Sequence, residues 1–177
     1  MSKLKLATVW LDGCSGCHMS FLDLDERLLA IAELVDVVYS PIVDTKQYPD
    51  DVDIALVEGA VASVDDEKKI RKIREHTKLL IAMGDCAVTG NVPSMRNALG
   101  PGPILERAYV QNTSSQPQIP CIVVPQLLKI VRPIHEFVKV DVFLPGCPPS
   151  ADTFHAALTA LINGEPVDVP ALTRFGA

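Results

Sequence analysis

Short apolar runs alternate along the chain with segments of helical periodicity, and each apolar run ends in a turn. Runs of this length that are bounded by Gly, Pro, Asn or Asp are typical of buried strands. The pattern therefore predicts six strands. They are Lys5 to Leu11, Val35 to Tyr39, Asp53 to Val57, Lys78 to Met83, Ile119 to Val124 and Val138 to Leu144.

Three segments between these runs repeat apolar residues at the spacing of an amphipathic helix. They run from Ser20 to about Leu34, from Ser63 through Ile73, and from Ser150 to Asn163-Gly164. In the second segment acidic residues come first and basic residues last, which is the order that the helix dipole favours. The stretch 91–118 is rich in Pro, Gly, Ser and Asn, and it predicts a loop with short helical pieces.

Strands that alternate with helices predict right-handed crossovers and a mainly parallel sheet with helices on both faces. We therefore expect an α/β fold with a doubly wound, flavodoxin-like sheet. The length of 177 residues allows one domain with a sizeable core. We place this domain at residues 1–164 and interpret residues 165–177 as a C-terminal tail that lies on the surface or on a partner.

The charge balance argues against a nucleic-acid partner, because 16 Lys and Arg stand against 22 Asp and Glu. No run approaches the roughly 20 apolar residues that span a bilayer, and the first residues lack the features of a signal peptide. We therefore expect a cytoplasmic protein without a membrane span. In a reducing compartment, five cysteines indicate metal or redox chemistry rather than disulfides.

Four of the five cysteines come directly after predicted strands. Cys14 and Cys17 follow the first strand, Cys86 follows the fourth and Cys147 follows the last. In a parallel doubly wound sheet, the loops after the strands emerge at the same edge. The sequence therefore predicts that these four thiols converge on one centre at the carboxyl edge of the sheet.

Four cysteine thiolates suit either zinc or an iron-sulfur cluster. Structural zinc sites usually use two local pairs in small folds, whereas this chain has one pair, two distant single cysteines and enough apolar residues for a core. The spacing favours an iron-sulfur cluster and leaves zinc as an alternative. A thioredoxin-like C-x-x-C pair is another alternative, but it leaves Cys86 and Cys147 without a role.

Several other residues have more than one interpretation. Cys121 begins the apolar run CIVV, and we interpret it as a buried, inert thiol. His18 either donates to a cluster sulfur or a partner, or it is a solvated loop residue. Asp12, Glu58 and Asp85 are predicted at the same sheet edge, where they could carry protons or meet a partner. Cap and turn roles explain Asp12 and Asp85 equally well.

Three loops resemble the signature loops of nickel-iron hydrogenase small subunits. They are Trp10-Leu11-Asp12-Gly13-Cys14-Ser15-Gly16-Cys17, Gly84-Asp85-Cys86-Ala87-Val88-Thr89-Gly90 and Leu144-Pro145-Gly146-Cys147-Pro148-Pro149. The resemblance covers nearly the whole chain and is greatest to the short small subunits of soluble, bidirectional NAD-reducing hydrogenases. It implies that Cys14, Cys17, Cys86 and Cys147 bind the 4Fe-4S cluster proximal to the nickel-iron centre. Larger members add a domain with two more clusters, so we expect one cluster in this chain.

The resemblance also implies that the chain relays electrons. In such enzymes the nickel-iron centre of the large subunit splits dihydrogen, and a diaphorase module with further iron-sulfur clusters, FMN and NAD receives the electrons (H2 + NAD+ = H+ + NADH). One thiol remains beside the four ligands, too few for the two C-x-x-C pairs that bind nickel and iron in this family. The chain is therefore not catalytic alone. We expect Asn91-Val92-Pro93-Ser94-Met95 to contact the large subunit and the isolated chain to be unstable.

Three alternatives stay open. A cluster subunit of respiratory complex I shares the Pro-Gly-Cys-Pro-Pro loop but has adjacent cysteines where this chain has Cys14 and Cys17. A related hydrogenase that uses a deazaflavin, polysulfide or ferredoxin differs mainly in its partners. A zinc-stabilised interaction module belongs to another class of protein and would contain no sulfide.

Overall fold

The computed structural model describes residues 3–173, and the strands in that range form two sheets. They are β1 (Leu4–Trp10), β2 (Val35–Tyr39), β3 (Val52–Glu58), β4 (Val61–Ser63), β5 (Thr77–Met83), β6 (Leu127–Arg132) and β7 (Val142–Leu144). Five strands pair in parallel in the order β2-β1-β3-β5-β7, and β4 pairs with β6 in antiparallel orientation. The parallel strands have the order of flavodoxin-like folds. The predicted α/β architecture is confirmed.

Helices connect the strands. They are α1 (Gly16–Leu22), α2 (Arg27–Leu34), α3 (Val64–Glu75), α4 (Asp85–Thr89), α5 (Asn91–Ser94), α6 (Pro101–Glu106), α7 (Ala151–Ile162) and α8 (Val169–Leu172). Short 3-10 or π turns occupy Met95–Ala98, Arg107–Gln111 and Ile134–Glu136. Within residues 3–173, every helix is too short or too polar to cross a lipid bilayer.

The parallel sheet is buried on both faces. Ile54 and Leu56 of β3 belong to one core cluster together with apolar residues of α1, α2 and α7. Ala55 and Val57 belong to a second cluster with apolar residues of α3. This alternation follows from the two-residue period of a strand. Helices on both faces leave the carboxyl edge of the sheet as the place where the loops after β1, β3, β5 and β7 meet.

Two of the six predicted strands differ from the structure. The run Ile119 to Val124 is not a strand, and Val123 in it is 99% exposed. Pro120 and Pro125 interrupt and follow this run, and proline lacks the N–H that a strand inside a sheet donates. The next residues form β6 instead, which the apolar pattern did not predict. In the predicted strand 138–144, only the last three residues form β7.

The first predicted helix is two helices in the structure. Its start is Gly16 rather than Ser20, and a break separates α1 from α2. Asp25 in this break has a left-handed backbone with φ of 49°. Because a non-glycine residue in that conformation cannot continue a right-handed helix, the periodic segment divides there.

The first part of the predicted tail contains α8. Val169 and Leu172 of this helix pack against the core cluster that includes Leu158 of α7. The hydroxyl of Thr153 donates to the carbonyl of Leu172 at 2.9 Å, which joins α7 to α8. Residues 174–177 of the predicted tail lie outside the described residues.

Asp141 joins β7 to β5 and α3. Its Oδ2 accepts from Nη1 of Arg74 at 2.6 Å and from the N–H of Leu80 at 2.9 Å. Burial raises the pKa of Asp141, but the N–H of Leu80 and the Arg74 guanidinium outweigh burial and lower it. The lowered pKa means that the ionised carboxylate stabilises the folded state above the pKa of the unfolded chain, about 3.9. This stabilisation is lost as the pH falls through the pKa of the folded state.

We expect Asp141→Asn to lower the free energy of unfolding by about 1.5–3 kcal/mol at neutral pH, because it weakens hydrogen bonds to a charged group. The difference from the wild type should shrink at about pH 3, because this lies below the pKa of the unfolded carboxyl and the stabilisation that the lowered pKa provides decreases there. Urea unfolding at both pH values measures this. Asp152→Asn is the control, since Asp152 also pairs with an arginine but its side chain is 87% exposed. Equal losses in the two variants at neutral pH would contradict the role given to Asp141.

Candidate metal centre

Four cysteines line one small cavity at the carboxyl edge of the parallel sheet, which we call the thiol cavity. They are Cys14, Cys17, Cys86 and Cys147. The cavity has a volume of about 80 Å³. Its other lining residues come from the carboxyl end of β3 and from the segments that follow β1, β3, β5 and β7. They are Gly16, Glu58, Gly59, Asp85, Gly146 and Pro148. The structure therefore brings the four predicted ligands together, while cluster binding stays a prediction.

Hydrogen bonds attach each cysteine-bearing loop to a neighbouring loop. The N–H of Asp12 donates to the carbonyl of Ala60 at 3.0 Å, and the N–H of Ala60 donates back at 2.7 Å. The N–H of Asp85 donates to the carbonyl of Gly146 at 2.9 Å, and the N–H of Gly146 donates to Oδ1 of Asp85 at 2.8 Å. The loops after β1 and β3 are thus joined, as are the loops after β5 and β7. Asp85 therefore stabilises a turn, which is one of the two roles that the sequence predicted for it.

Two glycines make room for the sulfurs. Gly84 has φ of 81°, and a Cβ added there would lie 2.1 Å from Sγ of Cys17. A Cβ added at Gly16 would lie 3.2 Å from Sγ of Cys14. Position 84 therefore accepts only glycine, both for its left-handed backbone and for the sulfur beside it.

The thiols differ in exposure, and two of them have raised pKa values. Cys17 and Cys86 are buried, whereas Cys14 and Cys147 are exposed. Burial raises the pKa of Cys17, and the Glu58 carboxylate and the other three thiols raise it further. Burial also raises the pKa of Cys86, against a lowering by the N–H of Val92. Cys86 and Cys147 line the same cavity as the C-x-x-C pair, and a thioredoxin-like site would leave them without a role.

The donor set is the one that 4Fe-4S clusters use, namely four cysteine sulfurs. A bound metal deprotonates its thiol ligands, which offsets the unfavourable burial of thiolates at Cys17 and Cys86. In residues 3–173, no group of three or more His, Cys, Asp or Glu side chains is arranged to hold a single metal ion. By the chemistry of its donors and the glycines beside them, the thiol cavity fits an iron-sulfur cluster.

Glu58 and His18 form a buried pair beside the thiol cavity. Oε2 of Glu58 accepts from the backbone N–H of His18 at 2.8 Å and contacts Nδ1 of its ring. Ser15, the residue before α1, provides no side-chain cap. Glu58 caps the N-terminus of α1 instead, and α1 is the helix that carries Cys17. The interpretation of His18 as a solvated residue is wrong, because it is 4% exposed. Its partner stands 40 residues further along the chain, which the local sequence could not reveal.

One hydrogen-bond donor to a sulfur was not anticipated. Nδ2 of Asn91 lies 3.5 Å from Sγ of Cys147. The sequence had indicated this segment only as a partner contact. The left-handed residues Gly90 and Asn91 (φ of 87° and 23°) turn the chain here, and a Gly-Asn pair is the local signal for such a turn.

Cys121 differs from the prediction of a buried thiol. It is exposed and lies in the loop before β6. The same prolines that prevent a strand at this run keep Cys121 out of the core. It lies outside the residues that line the thiol cavity.

Comparison with protein families gives a match over most of the chain. The family model described as NADH ubiquinone oxidoreductase, 20 Kd subunit, matches residues 14–161. This range includes all four cysteines of the thiol cavity.

Individual relatives are hydrogenase subunits. The NAD-reducing hydrogenase HoxS subunit delta of Cupriavidus necator is 42% identical over 173 residues, which cover 95% of this chain and 83% of that protein. A subunit of the F420-non-reducing hydrogenase vhu of Methanocaldococcus jannaschii is 40% identical over 169 residues, which cover 94% of this chain but only 59% of that protein. A chain in the crystal structure of an NAD+-reducing [NiFe]-hydrogenase in the H2-reduced state superposes with a TM-score of 0.92 and 38% identity, over 98% of this chain and 99% of that one.

Proposed function

This chain belongs to the NADH ubiquinone oxidoreductase 20 Kd subunit family and to the hydrogenase small subunits within it, and from this premise we propose that it is the electron-relay small subunit of a cytoplasmic NAD-reducing nickel-iron hydrogenase. The observation that carries the proposal is the convergence of four cysteines from three separate loops on the thiol cavity. Its partners are a large subunit with the nickel-iron centre and a diaphorase module with iron-sulfur clusters, FMN and NAD.

In this proposal Cys14, Cys17, Cys86 and Cys147 hold one 4Fe-4S cluster, the one proximal to the nickel-iron centre. When bound, the cluster accepts and releases single electrons, which divides the two-electron oxidation of dihydrogen into steps that a chain of clusters can carry. The residues of this chain hold the four sulfurs in place and exclude water from two of them. Glu58 fixes the helix that carries Cys17.

The exposed apolar residues near the thiol cavity support a partner on that side. Val92, Met95 and Leu99 are large apolar side chains that stand exposed, and they follow Asn91, whose amide donates to Cys147. Exposed apolar side chains that lie close together on a surface mark interaction sites. We assign these residues to the contact with the large subunit, in line with the expectation for residues 91–95.

A related hydrogenase with another electron acceptor is the second candidate. The matching subunit of the vhu hydrogenase of Methanocaldococcus jannaschii is nearly as similar to this chain as the HoxS subunit delta. The thiol cavity serves both candidates equally, so the identity of the co-purifying acceptor subunits distinguishes them.

The test is metal and sulfide analysis of the chain purified anaerobically with its partners. We expect about four acid-labile sulfides per chain when it is isolated with the large subunit alone, because a 4Fe-4S cluster contains four and the nickel-iron centre contains none. EPR after reduction should show one iron-sulfur signal. Mass spectrometry of the whole assembly should find a subunit that binds FMN and NAD. One zinc ion per chain without sulfide would refute the proposal.

A further inference from the structure

One short segment places a side-chain amide beside a sulfur of the thiol cavity. We call residues 90–92 the donor segment. Nδ2 of Asn91 lies 3.5 Å from Sγ of Cys147 and donates to it. Asn91 and Cys147 are 56 residues apart in the sequence, so this hydrogen bond joins the segment after α4 to the loop after β7.

The backbone of the donor segment fixes where the Asn91 amide lies. Gly90 and Asn91 both have positive φ, 87° and 23°. Asparagine tolerates such conformations better than most residues. The hydroxyl of Ser94 donates to the carbonyl of Asn91 at 2.7 Å, which holds the turn. The amide is therefore positioned by its own backbone.

The lining of the thiol cavity also includes the carboxyl side chain of Glu58. Its Oε2 accepts from the N–H of His18 at 2.8 Å, which holds it beside the cavity. A carboxylate in this position disfavours added negative charge on the sulfurs. An N–H donor to Cys147 has the opposite effect, because it stabilises negative charge on the sulfur. Hydrogen bonds to the sulfurs and net charge are both determinants of a cluster's reduction potential.

We infer that Asn91 is a positioning residue that raises the reduction potential of the site through its hydrogen bond to Cys147. This inference rests on the proposed function, since it requires a 4Fe-4S cluster on the four cysteines. One-electron reduction, with dithionite as the electron donor, adds a negative charge that is shared with the ligand sulfurs. The amide donor stabilises that reduced form relative to the oxidised form, and no proton is transferred.

Two variants of Asn91 test this inference. Asn91→Gly keeps the left-handed backbone and deletes the donor. Asn91→Asp keeps the shape and replaces the donor by a charged acceptor. We expect the midpoint potential to shift to more negative values in Asn91→Gly and further in Asn91→Asp. An EPR-monitored redox titration of the full chain, purified with its large subunit, measures the shift.

Asn112→Gly and Asn112→Asp are the matched controls. Asn112 is an exposed loop residue outside the lining of the thiol cavity, so the same chemical changes there should leave the midpoint potential unchanged. Asn91 variants with the sulfide content and the midpoint potential of the wild type would overturn the inference.

A measurement on the wild-type chain does not depend on how the variants fold. Pulsed EPR of the reduced protein with 15N in the asparagine side chains should detect a weak 15N coupling from the Asn91 amide. Absence of that coupling would overturn the inference even if the variants lose their cluster. The two proposals fail in different ways: a chain without sulfide refutes the proposed function, whereas a chain with sulfide but no 15N coupling refutes only the role of Asn91.

Discussion

Replacement of Cys86 by alanine is expected to reduce the acid-labile sulfide of the chain at least about tenfold, because even changes that only misorient a metal ligand typically cost 10–100-fold in affinity. Hydrogen-dependent reduction of NAD+ by the assembled enzyme should fall with it. Cys86 is buried and lies in the first turn of α4, so a water molecule does not readily replace its sulfur. Sulfide analysis, visible absorption and activity of the anaerobically purified assembly measure the effect.

Cys121→Ala is the matched control for this change. It removes the same sulfur atom from an exposed loop and should leave sulfide, colour and activity at wild-type levels. The ligand assignment would be wrong if Cys121→Ala lost the cluster, or if Cys86→Ala kept a full complement of sulfide.

The second large effect is expected at Gly84, where alanine should both remove the cluster and destabilise the fold. The new Cβ would lie 2.1 Å from Sγ of Cys17, so this ligand must move away. With φ of 81° and ψ of 161°, the backbone at this position lies in a region that essentially only glycine adopts, which adds strain of about 1–3 kcal/mol, and overpacking typically costs another 1–3 kcal/mol. Sulfide content and the thermal unfolding midpoint of the chain purified with its large subunit measure the two consequences separately.

Two other glycines separate backbone strain from the clash with the sulfur. Gly100 shares the left-handed conformation with φ of 77° but has no atom within 4 Å of an added Cβ. Gly100→Ala should therefore lower the unfolding midpoint and retain the cluster. Gly102 has neither a positive φ nor an atom within 4 Å of an added Cβ, so Gly102→Ala should resemble the wild type. Retention of the full sulfide content in Gly84→Ala would show that Cys17 is not needed as a ligand.

The sequence predicted the gathering of the cysteines because topology alone determines it. A buried parallel strand is visible as an apolar run, and the residue after such a strand must lie at the carboxyl edge. Cys14, Cys17, Cys86 and Cys147 could thus be placed without knowledge of a single side-chain contact. Their role as ligands stays a prediction that the cysteine and glycine variants decide.

Other features depend on contacts between distant residues, which the local pattern does not contain. The burial of His18 depends on Glu58, the end of a strand 40 residues away. The donor role of Asn91 depends on Cys147, which is 56 residues away. The exposed run that contains Cys121 has the apolar pattern of a strand, but its prolines prevent pairing. Apolar periodicity therefore locates buried elements well and misjudges apolar residues that stand on the surface.

The hydrogen bonds that join Asp12 to Ala60 and Asp85 to Gly146 attach each cysteine-bearing loop to a neighbouring loop. The positions of the sulfurs are thus supported by the protein's own backbone, whereas zinc fingers require their ion in order to fold. With the proposed cluster in place, this attachment would limit how far the sulfurs shift when an electron arrives, which would keep the reorganisation energy small in both directions.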